Sequence, residues 1–539
     1  WQVISPDLTK QLSHFELPLQ GAVQPLDAFM LHRATSDYGN ITSLQESPLR
    51  PGLLAVGTDD GLVQVTRDDG DSWQQADISA VVPEMTLVSR VRWSHHDEGT
   101  LYATFEAHKD NDFRPYVIKS TDYGANWTDI SGDLPQHGPV RVIIEHPRNP
   151  DLLFAGTELG VFVSFTGGAG WLPLGNNLPT VPVHDMVIHP RENDLVLGTH
   201  GRGFWILDDI TILEELSAEA MASGTHLAGP RPATQLSYFN RGRSSLGQSR
   251  YTTSNPPAGA IISYWIGQET SNATADEDAV EETPSPERTP SIEIEILDAQ
   301  GQTVRQLELP DGGARKGLHR LVWDLRYAPA FLPDIEGGTG RGPRGPFVLP
   351  GEYRVRLRQG ELEHTRTFLV RGDPAVEISV ADRTRWHDTL LSLHEMIEVS
   401  HAVVTTARQL EGQIEQVHAT LAAHPEVPEP LRARLADIEN ALQAILEEML
   451  GDDADAGATQ PGAPPLNGQV RQLYSAIGAS TALPTVEQMQ LTRRSYELLA
   501  EQVDGINRVL DEDVAELQRQ LDRAGVPWTP GRLVAPPRR

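Results

Sequence analysis

Along residues 1–216, apolar positions come in short runs that alternate with polar ones and are cut by Gly- and Asp-rich turns. Four segments repeat one pattern: Asn40–Trp73, Ser89–Trp127, Val140–Trp171 and Val183–Asp209. Each reads as a strand, a polar turn, an apolar strand ending near Gly-Thr, a turn, an alternating strand and a tight turn. Trp73, Trp127 and Trp171 close three of these turns and lie 54 and 44 residues apart. A four-stranded unit recurring at roughly 40–50 residues predicts the blades of a β-propeller.

Beyond residue 216 the repeat stops, but period-two alternation persists in Ala260–Ile266, Ser291–Leu309, Gly317–Tyr327 and Gly351–Val370. Short alternating strands separated by turns such as Asp298–Gly301 predict a β-sandwich over 217–375. An acidic, Ser/Pro-rich insertion at 269–291 reads as a solvated loop. The Gly-rich stretch Gly337–Pro346 lacks the preceding strand and following helix that a phosphate-cradling loop needs.

From Ala381 the period changes to 3.6. Leu390, Leu393, Ile397, His401, Val404, Leu410, Ile414 and Val417 form one stripe; Leu431–Leu450 and Val486–Leu521 carry others. Thr485 with Gln488 predicts a capping box. Residues 376–539 therefore read as an α-helical bundle, interrupted by a loop at Gly451–Pro465. The expected fold is multidomain and mainly β: propeller blades (1–216), an Ig-like β-sandwich (217–375), then the C-terminal helical bundle.

The tight turns carry a motif. Ser120–Trp127 fits S-x-D-x-G-x-x-W, the Asp box, and Thr66–Trp73 fits it with Thr for Ser. Asp68 and Asp122 should accept backbone N–H groups within the turn. Gly70 and Gly124 should supply positive φ, and Trp73, Trp127 and Trp171 should fill gaps between blades. Ser164–Trp171 has Thr166 in place of the Asp, and Trp205–Asp209 lacks the Gly. These residues are read as structural, not catalytic.

On the stretches Gly57–Trp73, Arg114–Trp127 and Val183–Ile210, the chain resembles bacterial sortilin-type (VPS10-like) propeller proteins with BNR repeats, often labelled glycosyl hydrolases. The resemblance implies a longer exported parent: a signal peptide upstream, an extracellular or periplasmic location, and further blades as partners of those seen here. Trp1-Gln2-Val3-Ile4-Ser5 matches Trp127-Thr128-Asp129-Ile130-Ser131, so Trp1 is expected in the place of a turn Trp, with the rest of its blade upstream.

Charge and composition narrow the chemistry. Asp and Glu number 75 against 44 Lys and Arg, a net charge of −31, which disfavours nucleic acid or an anionic membrane as main partner. There is no Cys, so disulfides and thiolate sites are excluded. No apolar run reaches membrane-spanning length, and the acidic faces of the predicted helices argue against membrane binding. Helix packing leaves oligomerisation through the bundle open.

Propeller topology ranks the remaining polar residues. Turns between second and third strands, with the links between blades, share one face; the Asp boxes lie on the other. Asp59, Asp60, His108, Asp112, Glu158, His184, Asp185, His200 and Arg202 are therefore candidates for one ligand-binding rim, with Asp110 close by. A glycosidase needs two carboxylates about 5–10 Å apart, and Asp59 or Asp60 with Asp112 or Glu158 are the candidates. A sialidase needs clustered arginines for the substrate carboxylate, and only Arg114 and Arg202 offer themselves. No cofactor or metal is expected, although His108–Asp112 has alternating oxygen donors that suit Ca²⁺. The favoured function is recognition of a protein, peptide or glycan on the propeller face. The alternative is a glycoside hydrolase or related enzyme acting on extracellular polysaccharide.

Overall fold

The computed structural model describes residues 2–13, 15–19, 21–29, 38–175, 177–217, 220–221, 224–236, 253, 255–267, 292–310, 313–332, 342–423, 428–451, 464–527 and 529. Trp1, the acidic insertion at 269–291 and parts of the loops at 337–346 and 451–465 lie outside the described residues.

A short hairpin, β1 (Pro18–Leu19) and β2 (Ala22–Val23), precedes four antiparallel sheets that form propeller blades. Blade 1 is β3 (Ile41–Glu46), β4 (Leu54–Thr58), β5 (Val63–Thr66) and β6 (Gln74–Gln75). Blade 2 is β7 (Leu87–Trp93), β8 (Leu101–Ala107), β9 (Asp112–Ser120) and β10 (Thr128–Asp129). Blade 3 is β11 (Val140–His146), β12 (Asn149–Thr157), β13 (Gly160–Ser164) and β14 (Leu172–Pro173). Among the described residues blade 4 has three strands: β15 (Val183–Ile188), β16 (Leu195–Thr199) and β17 (Phe204–Leu207).

The blades stack through their innermost strands. Val91, Ile143 and Met186 occupy the same register in β7, β11 and β15, and each is buried against the preceding blade. The contact is close enough to demand glycine: a Cβ on Gly156 would stand 2.6 Å from Val142 Cγ1 and 2.9 Å from the Val183 carbonyl.

The tight turns behave as local hydrogen-bond clamps. Asp122 Oδ1 accepts from Asn126 N at 2.8 Å and Ser120 Oγ at 2.8 Å, and Oδ2 from Asn126 Nδ2 at 2.7 Å. Gly124, at φ +87°, donates its N–H to Ser120 Oγ. Asp68 repeats this with Ser72 and Thr66, and Gly70 donates to Thr66 Oγ1. Hydrogen bonds from Asn126 and Ser72 hold the Asp122 and Asp68 carboxyls below the usual range. Thr166 Oγ1 accepts the Gly170 N–H at 3.1 Å and meets Ser164 Oγ at 3.3 Å, with no second oxygen to take a further donor. Trp171 is buried between blades 2 and 3, and Trp127 packs on the core shared by blades 1 and 2.

Helix α1 (Thr211–Glu215) leads into two facing sheets around one core. One is β18 (Thr225–Leu227), β20 (Ala260–Ile266) and β23 (Gly317–Trp323). The other runs, in spatial order, β19 (Ala233–Thr234), β25 (Leu362–Arg371), β24 (Gly351–Gln359), β21 (Ile292–Leu297) and β22 (Thr303–Leu307). Arg320 ties this unit to blade 4 by donating to the carbonyls of Asp208 and Asp209 at 2.7 and 2.8 Å.

The C-terminal region is helical: α2 (Val380–Ala422), α3 (Glu429–Leu450), α4 (Leu466–Gly478), α5 (Val486–Arg508) and α6 (Ala515–Arg523), the last two joined by a π-helical turn. Leu390, Leu393, Ile397, Val404, Leu410, Ile414 and Val417 of the predicted stripe are buried, whereas His401 sits half-buried at its edge. The Thr485–Gln488 capping box forms. Helix α4 was not foreseen, because thirteen residues between loops give too short a stripe.

Candidate functional site

In all four blades the pairing of the innermost strand with its neighbour skips one residue at the same place: Thr42, Ser89, Arg141 and His184. Such bulges re-aim a side chain and sharpen local twist. In blades 1 and 2 the skipped residue carries a hydroxyl that stitches neighbouring blades. Thr42 Oγ1 donates to the Val88 carbonyl at 2.6 Å, and Ser89 Oγ to the Val140 carbonyl at 2.8 Å. Blades 3 and 4 place a guanidinium and an imidazole there instead.

These two groups organise a charged rim. Arg141 Nε donates to Glu158 Oε1 at 2.6 Å, and its Nη1 faces the buried Glu106 carboxylate. His108 Nδ1 is pressed against the same carboxylate without the direction of a hydrogen bond. The His184 and His200 rings stack at 5.2 Å and 23°. Burial, then the charge of Arg141, hold His184 below the ordinary imidazole value, while Glu158 acts in the opposite sense. His184 is thereby favoured as neutral imidazole near pH 7.

The nine predicted rim residues divide. Glu158 pairs with Arg141, His184 feels its charge, His108 meets the same Glu106 carboxylate, and His200 stacks on His184. Asp59 instead fixes the link into its blade, accepting from Gly39 N at 3.0 Å and Asn40 N at 2.7 Å. Asp60 is fully buried and accepts from Lys10 N and Thr58 Oγ1. Burial, then the charges of Asp60, Asp59 and Asp110, push the Tyr38 hydroxyl pKa up, so these four groups form a separate neighbourhood. Asp112 is held by the Arg114 guanidinium and by the Tyr116 hydroxyl at 2.6 Å, which keep its carboxyl far below the usual range. Asp185 turns the other way, to Arg90 at 3.0 Å and Arg92 at 3.9 Å. Arg202 makes no ion pair among the described residues; its carbonyl accepts from Trp205 Nε1.

Glu106 and Arg141 were missed by sequence reasoning. The signal was there: aligning the innermost strands puts Thr, Ser, Arg and His in one column, and the change from hydroxyl to charge marks the third and fourth blades. Among the described residues no group of three or more His, Asp or Glu is set to hold a metal ion. In the stretch read as a possible Ca²⁺ loop, His108–Asp110 form a 3₁₀ turn, and both Asp112 oxygens are engaged by protein donors.

No family model matches the chain, and no curated protein matches it. Solved structures similar to part of it are β-propeller proteins. YCF48 bound to D1 peptide aligns at 16% identity over 32% of this chain and 51% of that one, with a TM-score of 0.26. The GH74 xyloglucanase from Xanthomonas campestris aligns at 12% identity over 42% and 37%, with a TM-score of 0.25. The GH74 enzyme from Niastella koreensis aligns at 13% identity over 62% and 54%, with a TM-score of 0.27. The chain spans about half or less of the length of each.

Proposed function

We propose that the protein is an exported recognition protein, of the sortilin-like Asp-box type, that binds a protein, peptide or glycan on its propeller rim. The carrying observation is the exchange at the repeated bulge. Two blades spend that position on stitching hydroxyls, and the next two present Arg141 and His184 beside Glu106, His108, Glu158 and His200. A rim that presents one guanidinium, the Glu158 carboxylate and three imidazoles offers directional donors and acceptors of both signs. In this reading the Ig-like sandwich serves as a spacer and the helical bundle as a packing module. The export assignment rests on the resemblance of the turns alone.

The test is binding of the full chain to arrays of glycans and of peptides, repeated with a His184→Ala/His200→Ala variant. Specific retention of a ligand class by the wild type and its loss in the variant is the expected result. Equal retention by both would remove the rim from consideration. Ligand cleavage would instead favour the hydrolase alternative.

A further inference from the structure

The end of the Gly-rich stretch forms one wall of a cavity between the sandwich and the helical region. Residues 342–348 run back antiparallel along 325–330. Ala330 N donates to the Pro343 carbonyl at 3.2 Å, Tyr327 N to that of Pro346 at 3.1 Å, and Val348 N to that of Leu325 at 2.9 Å. Arg326 and Phe347 face each other across an isolated bridge. The ribbon is close enough to need glycine: a Cβ on Gly345 would collide with the Tyr327 carbonyl and stand 2.5 Å from that of Ala328. This close return sets Arg344 and Arg326 on one cavity of about 200 Å³.

The opposite wall is helical. Trp386 and Leu390 come from α2, and Tyr474 and Ser475 from α4. The Tyr474 hydroxyl donates to the Arg344 carbonyl at 2.5 Å, and Trp386 Nε1 to the Ile477 carbonyl at 3.0 Å. The first bond fixes the ribbon to α4 and the second fixes α4 to α2.

The electrostatics of the cavity are one-sided. None of its lining residues is acidic, although the chain carries 75 Asp and Glu against 44 Lys and Arg. The Arg326 guanidinium carbon lies 3.5 Å from the centre of the Phe347 ring, and its Nη1 donates to the Gly345 carbonyl at 3.0 Å. Among the described residues this is its one side-chain hydrogen bond, and a guanidinium carries five N–H donors in a planar fork. Burial holds the Arg326 pKa below its ordinary value and Arg344 adds to this, while Asp324 and Tyr474 oppose. An anion between the two guanidiniums would relieve their repulsion.

We propose that this cavity binds a small organic acid, with its carboxylate between Arg326 and Arg344 and its apolar body against Phe347, Trp386 and Leu390. The guanidinium fork matches a carboxylate geometrically, and the charge assists each hydrogen bond. The aromatic and aliphatic wall matches the rest of such a molecule, whereas an inorganic anion would leave that wall without a counterpart. Pockets for drug-sized ligands run about 300–1,000 Å³ and favour domain interfaces, so this cavity suits a smaller molecule at such a place. Because the sandwich supplies one wall and the helices the other, a bound acid would stabilise their docking by mass action. The rim and this cavity share no residue, so the two readings fail independently.

The test is calorimetric titration of the full chain with benzoate, benzamide, acetate and inorganic phosphate, with melting temperatures recorded alongside. Saturable binding of benzoate and a raised melting temperature are expected, with weaker binding of acetate and none of neutral benzamide. Arg344→Gln alters an exposed side chain and should weaken benzoate binding about tenfold or more, the effect of losing a hydrogen bond to a charged group, with the unliganded melting temperature unchanged. Arg326→Gln should weaken it at least as much; if that variant does not fold, Arg344→Gln alone decides. Absence of saturable benzoate binding, or equal binding by Arg344→Gln, would overturn the proposal. Phosphate binding as tightly as benzoate would overturn it in favour of an inorganic-anion site, and benzamide binding as tightly would reduce the cavity to an apolar one.

Discussion

Arg141 Nε donates to Glu158 Oε1 at 2.6 Å, so the bulged innermost strand of blade 3 is tied to the hairpin turn of its own blade. The same guanidinium is the cationic partner of the buried Glu106. Arg141→Ala should leave Glu106 a buried carboxylate without its cation and lower stability by about 1–3 kcal/mol. Adding Glu106→Gln should restore part of that loss, because the uncompensated charge is then gone. Urea unfolding of the two singles and the double checks this; strictly additive losses would mean that the pair is not coupled.

Asp122 holds its turn with three hydrogen bonds from Ser120 and Asn126, whereas Thr166 makes two longer ones, with Gly170 N and Ser164 Oγ. Asp122→Ala should therefore cost about 0.5–1 kcal/mol, the lower part of the range for losing a side-chain cap at an exposed turn. Thr166→Ala should cost measurably less. Thermal unfolding of both variants decides, and equal losses would contradict the clamp role of the carboxylate.

The blade pattern was legible because short apolar strands, some buried at every position, recur at a regular spacing, and the turns between them need residue types that stand out. The helical stripe from Leu390 to Val417 was legible for the same reason: its period is long and unbroken. The rim was only half legible. Turn position alone put Asp59, Asp60 and Asp112 with His184, since Asp in a hairpin turn looks the same whether it faces a ligand or its own backbone. What separates them is which donor arrives from elsewhere in the chain, Lys10 N for Asp60 or Gly39 N for Asp59, and sequence spacing does not carry that. Glu106 was overlooked because it ends an otherwise apolar strand, and its partner Arg141 lies 35 residues away.

Gly156 and Gly170 make a matched pair for packing between blades. Neither has positive φ, but a Cβ at Gly156 meets Val142 and the Val183 carbonyl, while Gly170 has open space. Gly156→Ala should destabilise by about 1–3 kcal/mol through overpacking of the blade 3–blade 4 interface. Gly170→Ala should be close to neutral. A melting temperature unchanged in Gly156→Ala would show that the blades have slack at this contact.

His146 sets a pH limit on the propeller. Its side chain is fully buried, and both ring nitrogens are already committed. The Arg148 N–H donates to Nδ1 at 3.2 Å, so the ring proton sits on Nε2, which donates to Asn193 Oδ1 at 3.0 Å. Protonating Nδ1 would break the first of these bonds and place a charge in the interior. Burial accordingly holds the His146 pKa below its ordinary 6.5, with Glu214 opposing only in part. The sign follows from linkage. Below about pH 6.5 the unfolded chain takes up a proton that the folded chain refuses, so stability falls as pH drops from there toward the folded pKa. Above that window the group contributes no slope. His95, lowered first by burial, adds in the same direction. Urea unfolding at a series of pH values should therefore show a decline that begins near pH 6.5, well above the range in which carboxylates titrate. His146→Gln, which does not titrate, should lower stability at pH 8 yet flatten the decline between about pH 6.5 and 5. An identical slope in wild type and variant would mean that the buried imidazole is not the group refusing the proton.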